Sequence, residues 1–186
     1  MKKYMFALLA MTTVLFSSVK ADEVVPEKGL YAGVFAGANF LQVKEVNGIR
    51  SGLMFGFSLG HKFENTIRAE CELSYRRNKK VATSLLSSEG SRQTFAVLGN
   101  VYYDFEVDSD YKPYIGAGAG FSHNRVVTDV KNGGIYVVSN KMAYQLMGGF
   151  NYKVSDKTYV AVEYKFMCPE KNTQHHSTSA SIKRYF

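Results

Sequence analysis

Residues 66–76 alternate strictly: Ile67, Ala69, Cys71, Leu73 and Tyr75 share one parity, and Arg68, Glu70, Glu72, Ser74 and Arg76 share the other. A helix would scatter those charges around its circumference, whereas a strand sets them all on one side. The same period of two recurs along the chain. Leu53, Phe55, Phe57, Leu59 and Phe63 oppose Met54, Gly56, Ser58, Gly60 and Lys62; Val160, Val162, Tyr164 and Phe166 oppose Ala161, Glu163 and Lys165. Near 144–152, Tyr144, Leu146, Phe150 and Tyr152 oppose Gln145, Met147, Gly149 and Asn151. Eight strands are expected, at about 29–42, 50–63, 66–78, 92–106, 111–126, 139–153, 156–168 and 175–186.

The connections alternate in length. Glu64-Asn65, Glu106–Asp110 and Ser155-Asp156 are short and polar, while 43–49, 79–91, 127–138 and 169–174 are longer. Inside 127–138, Lys131-Asn132-Gly133-Gly134 is flanked by β-branched runs, a hairpin signal that predicts strands five and six extending past the others.

An even number of alternating strands, joined by turns of short and long kind in succession, fits a transmembrane antiparallel up-and-down β-barrel. Closure is obligatory there, because an open edge in lipid leaves backbone N–H and C=O groups without partners. A secreted β-sandwich also alternates. Against it, the charges lie opposite the aromatics, and rings mark both strand ends. Phe40, Tyr75, Phe95, Phe121, Tyr144 and Phe166 fall near the long-loop ends; Phe63, Tyr103, Phe105, Tyr152 and Phe186 fall near the short-turn ends. Two belts at two water–lipid boundaries suit amphipathic rings. Phe186 also ends the last strand.

Composition narrows the alternatives. With 13 Tyr and 13 Phe in 186 residues the chain is too aromatic for a disordered one, and two Cys are too few for a disulfide-stapled scaffold. The only strongly apolar block is N-terminal, so a polytopic helical membrane protein is excluded. That block, Met5–Phe16 after Lys2-Lys3, is followed by Val19 and Ala21 at the positions of a small-residue cleavage site. Residues 1–21 are read as a signal peptide, 22–28 as a short periplasmic segment and 29–186 as the barrel. Removing Lys2, Lys3 and Lys20 takes 23 basic residues to 20 against 16 acidic ones, and the formal charge from +7 to +4. So modest a surplus carries no nucleic-acid footprint.

The chain resembles the small eight-stranded outer-membrane β-barrels, the family of opacity-type surface proteins and the membrane domain of outer membrane protein A. The matching segments are Gly29-Leu30-Tyr31-Ala32-Gly33, Arg68–Arg76, Asn100-Val101-Tyr102-Tyr103-Asp104-Phe105, Tyr114–Gly120, Ala143-Tyr144-Gln145-Leu146 and the terminal strand to Phe186. The resemblance implies an integral protein of a Gram-negative outer membrane, bathed in its lipid and lipopolysaccharide, monomeric and without cofactor. It implies insertion by the outer-membrane assembly machinery through a C-terminal aromatic. Phe186 supplies it, although Arg184 stands where a second aromatic is usual. No peptidoglycan-binding domain is expected after Phe186.

Parity sends Lys62, Arg68, Glu70, Glu72, Arg76, Asp104, Glu163, Lys165 and Lys183 to the lumen, with Gly33, Gly37, Gly56, Gly60, Gly116, Gly118, Gly120 and Gly149 mostly beside them. Five cations against four anions read as an ion network that plugs the bore, since an open aqueous channel takes 16 or more strands; a narrow ion path is the alternative. Glu70 and Glu72, flanked by Arg68 and Arg76, belong to that cluster rather than to acid–base chemistry. Gly116–Gly120 alternates and lacks the spacing of a dinucleotide loop.

His175 and Ser177 have the His-x-Ser spacing of outer-membrane lipid A deacylases, but no acidic residue follows them. Four His without ligand spacing give no metal site. Cys71 and Cys168, on strands expected at opposite walls, are not expected to bond. The function implied is a structural or interactive surface barrel, serving envelope integrity, antigenic display or adhesion to host or matrix components through its external loops, of which Lys79–Arg92 reads first as a plain surface loop and second as a contact for a partner. A small porin comes second, and a lipid-modifying enzyme is remote.

Overall fold

The computed structural model describes residues 28–43, 46–63, 66–79, 90–130, 133–170 and 173–186. Residues 1–21, read as a signal peptide, lie outside them, as do 22–27, most of the 79–91 loop and the hairpin tip at 131–132. Eight strands follow one another: β1 (Gly29–Val43), β2 (Val46–Lys62), β3 (Ile67–Lys79), β4 (Gly90–Asp104), β5 (Tyr111–Val130), β6 (Gly133–Ser155), β7 (Thr158–Glu170) and β8 (Thr173–Tyr185). Each pairs antiparallel with its neighbours, and β8 returns to β1 to close a barrel. Closure leaves no edge, the condition for sitting in lipid.

The faces are inverted relative to a water-soluble fold. Leu53, Phe121 and Met142 are 71%, 69% and 70% exposed, whereas Arg68, Glu72 and Arg76 are fully buried. On the outer face of β4, Phe95 and Tyr103 bracket a stretch without charge. Eight residues at about 3.4 Å each, tilted about 40°, rise about 21 Å, and the rings complete an apolar band about 25 Å tall.

β5 and β6 stay in register from Tyr111↔Tyr152 to Val130↔Gly133, the extension that the Asn-Gly-Gly signal predicts. Two of the longer connections are shorter than expected. β2 already pairs with β1 at Val46, and β8 starts at Thr173 opposite Glu170 of β7. Strand pairing satisfies the backbone there as well as loop solvation would, so the ladder runs on. Near the end of β7 the register with β8 slips between Met167 and Glu170. Met167 and Cys168 are consequently both buried, breaking the alternation.

Candidate functional site

Side chains that alternation sends inward meet one another inside the bore along its described length. All nine residues assigned to the lumen are buried, Glu163 the most exposed of them at 7%. Three layers can be followed from the end that carries the start of β1, the end of β8 and the short turns.

In the first layer Arg68 of β3 grips Asp104 of β4, with Nε 2.9 Å from both carboxylate oxygens and Nη2 2.9 Å from Oδ1. Lys62 lies 3.5 Å from the same carboxylate. The Arg68 guanidinium also stands over the rings of Tyr102 at 4.5 Å and Tyr114 at 4.9 Å, a cation–π arrangement in a site closed to water. Lys183 faces the same two rings and donates to Asn151 Oδ1 at 3.4 Å.

The second layer crosses the bore. Lys165 of β7 meets Glu72 of β3 at 2.7 Å, although those strands are four apart and lie on opposite walls. Its ammonium also lies 3.0 Å from Glu163 and 4.3 Å from the Phe35 ring centroid. Glu72 accepts further bonds from Asn100 at 3.2 Å and Gln145 at 3.1 Å. Glu70 takes its bonds from neutral donors, the hydroxyls of Tyr31 at 2.9 Å and Tyr102 at 3.2 Å and the Asn100 amide at 3.5 Å.

The third layer, toward the long loops, is mostly amides and hydroxyls. Arg76 lies 3.7 Å from Glu72 and donates to Ser74 at 2.8 Å. Asn39 of β1 binds Asn78 of β3 at 2.7 Å. Arg92 of β4 reaches Thr173 on the opposite wall at 3.3 Å. His175 and Ser177 are buried here, and each engages Asn39, the ring at 3.0 Å and the hydroxyl at 2.7 Å. The His-x-Ser pair therefore points into the bore, away from the lipid face where an acyl chain would lie.

One expectation is corrected. Aromatic rings do not keep to the face opposite the charges: Tyr31, Tyr102, Tyr114 and Tyr185 are buried in the lumen, with Phe35. Each of four inward rings lies opposite an inward glycine on the paired strand: Tyr31 to Gly60, Phe35 to Gly56, Tyr102 to Gly116 and Tyr114 to Gly149. A Cβ added at Gly60, Gly56 or Gly116 would overlap the facing ring, and one at Gly149 would stand 2.9 Å from the Tyr114 hydroxyl. These glycines make room for rings as much as for long charged chains. The alternation carried the signal: Tyr102 shares parity with Asn100 and Asp104, and Tyr114 with Gly116, Gly118 and Gly120.

Cys71 is exposed on the lipid face and Cys168 is buried, both as free thiols. Phe186 follows β8, its ring 60% exposed and its N–H bonded to the Leu30 carbonyl at 3.0 Å.

With a closed eight-stranded barrel, an apolar exterior and a charged interior in place, the comparison with known families is decisive. Residues 6–184 match the model of the outer membrane protein beta-barrel domain. The chain belongs to that family. Like the rest of this outer-membrane barrel family, it is an integral outer-membrane protein. No curated protein matches it by sequence.

Among solved structures the barrel is similar to Neisserial surface protein A, at 21% identity and a TM-score of 0.65 over 85% of this chain and 97% of that one. It is similar to Ail, the attachment invasion locus protein of Yersinia pestis, in complex with the heparin analogue sucrose octasulfate, at 12% identity, TM-score 0.56, and coverage of 85% and 99%. OprG of Pseudomonas aeruginosa follows at 11% identity, TM-score 0.54, and coverage of 88% and 96%. At these identities the likeness is one of fold.

Proposed function

We propose that this outer-membrane barrel is a surface protein with a structural or interactive role and a bore closed by its own side chains. The observation that carries the reading is the Lys165–Glu72 pair, which spans the lumen from wall to wall. With Arg68–Asp104 on one side of it and the Asn39–Asn78 amides on the other, each layer joins different strands. An eight-stranded interior is about as wide as its filling side chains. In this reading the termini and short turns face the periplasm and the long loops face outward, residues 1–21 direct export, and Phe186 presents the aromatic read by the assembly machinery. The protein acts as a monomer without cofactor. Outer-leaflet lipid and lipopolysaccharide surround its apolar face.

Contact with host or matrix components falls to the external loops, since the bore offers no passage. That a barrel of this fold can hold a ligand is supported by the Ail complex with the heparin analogue sucrose octasulfate. Planar-bilayer recording of the purified, refolded protein tests the closed bore: the expected result is no persistent openings, and sustained unitary currents would establish the small-porin reading instead. For the enzymatic reading, Ser177→Ala is expected to leave the lipid A acylation pattern of the host cell unchanged.

A further inference from the structure

The outer wall of the barrel is not apolar throughout. Across β2 to β5, Phe57, Leu73, Val97 and Phe121 follow one another in a single row. Across β7 and β8, Tyr164 pairs with Thr178 and Phe166 with His176, and all four side chains point outward. The Tyr164 hydroxyl lies 2.6 Å from His176 Nδ1, and the Phe166 ring centroid 5.1 Å from that of the imidazole. His176 Nε2 and the exposed Thr178 hydroxyl are left without a hydrogen-bond partner among the described residues.

Register fixes the depth of these groups. His176 also pairs with Phe40 of β1, so belt rings flank it on both sides. Thr178 pairs with Ala38, two residues nearer the bilayer centre, a descent of about 5 Å at a strand tilt of about 40°. Directly below, Ala36 pairs with Ala180 and Val34 with Ile182, and together with Val160 they line an apolar groove. From His176 to Ile182 the descent is about 16 Å, more than half of an apolar band about 25 Å tall.

We infer that this groove holds one acyl chain of an outer-leaflet lipid, and that His176 and Thr178 bind a hydroxyl carried on that chain close to its carbonyl. The polar atoms reach below the aromatic belt, where an unsubstituted chain offers only methylenes. A hydroxyl a few carbons into the chain arrives at that depth and can both donate and accept. Without it, Nε2 and the Thr178 hydroxyl face hydrocarbon with no hydrogen bond, which costs free energy. Ala36 and Ala180 leave the rest of the chain its room. A second barrel suits the place less well, since specific protein contacts bury about 800 Å² per partner and this trough is about 10 Å across, from β7 to β1. The inference rests on the reading above that outer-leaflet lipid surrounds the apolar face with the long loops outward. It needs no contact with a phosphate, and it does not depend on whether the bore conducts.

The test places the purified full-length protein in nanodiscs whose bilayer is an equal mixture of two phosphatidylglycerols, one with 3-hydroxymyristoyl chains and one with myristoyl chains. Identical headgroups cancel every contribution of the rim, and native mass spectrometry counts the lipid retained on the released barrel. The hydroxylated lipid is expected in about fivefold excess, the worth of one net hydrogen bond. Thr178→Val and His176→Phe should each bring the ratio toward one, with heat-modifiable migration showing that the barrel still folds. Ala180→Leu, which fills the groove, should lower retention of both lipids, and Ala117→Leu on the exterior of β5 should change neither.

Equal retention of the two lipids by the wild-type protein would overturn the hydroxyl recognition. An excess that survives both Thr178→Val and His176→Phe would place the recognition elsewhere and overturn the assignment. Release as a pair of chains without lipid would make the occupant a second copy and overturn it also. Nanodiscs are blind to sidedness, so a failure of the orientation reading shows separately: cleavage of the long loops by a protease confined to the periplasm would remove the outer leaflet as the source of the chain.

Discussion

Lys165 on β7 and Glu72 on β3 meet at 2.7 Å across the full width of the barrel, with neither side chain more than 2% exposed. Glu72 has Arg76 at 3.7 Å as a second cation, and Lys165 has Glu163 at 3.0 Å as a second anion. Removing one partner strands the rest. Lys165→Met should cost about 3–5 kcal/mol, because two carboxylates are left buried with less positive charge. Paired with Glu72→Gln it should show a coupling of about 1 kcal/mol or more, since the two share one network. Urea unfolding in lipid vesicles, run as a double-mutant cycle, reads both quantities.

Gly116 and Gly99 form a matched test of the ring–glycine packing. A Cβ at Gly116 would overlap the Tyr102 ring, whereas one at Gly99 would meet only the Ala119 carbonyl at 3.8 Å. Gly116→Ala should therefore destabilise by about 1–3 kcal/mol through overpacking. Gly99→Ala, on the outer face, should be neutral or slightly stabilising through a less flexible unfolded chain. Equal costs at the two positions in the same unfolding assay would show that Tyr102 does not occupy the space Gly116 leaves.

Depth along the lipid face is testable at two positions. Cys71 is outward at mid-strand on β3, and Leu53 is outward in the same cross-strand row as Arg77. Cys71→Arg should cost about 2–4 kcal/mol, and Leu53→Arg about 0–1 kcal/mol, following the depth dependence of charge on a barrel exterior. Vesicle unfolding measures both. A larger cost at Leu53 would move the membrane boundary past the Arg77 row.

Phe186 separates assembly from stability. Its ring is largely exposed and adds little to the interior, while its N–H bonds to Leu30 through the backbone. Phe186→Ala should lower the amount of barrel reaching the outer membrane in cells and leave the unfolding midpoint of refolded protein within about 0.5 kcal/mol, the range for surface substitutions. Fractionation and unfolding are read on the same variant.

Much of this was legible from alternation alone. Charges at 68, 70, 72 and 76 could share a face only in a strand, and the Asn-Gly-Gly signal marked the long β5–β6 hairpin correctly. Two things were not legible. Tyrosine carries both an apolar ring and a hydroxyl, so its sidedness follows from neighbours of the same parity and not from its own hydropathy; Tyr31, Tyr102 and Tyr114 were missed that way. Which luminal groups meet depends on closure and register, which set Glu72 opposite Lys165, 93 positions later in the chain. The shift at Met167/Glu170 that buries Cys168 is likewise a property of the pairing of β7 with β8 and leaves no mark in the local pattern.

The seam between β1 and β8 has a kinetic consequence. Tyr31 and Tyr185 pair across it with ring centroids 5.0 Å apart, joining segments at the two extremes of the barrel sequence. Until β8 exists, β1 carries an unsatisfied edge that lipid will not tolerate, and no part of the bilayer-spanning ladder can be finished early. The remaining contacts are mostly between neighbouring hairpins and form locally; this one is the most distant in sequence and the last to become available. A chain lacking β8 would therefore offer the bilayer an open edge on β1, with the ladder complete only when the final strand pairs.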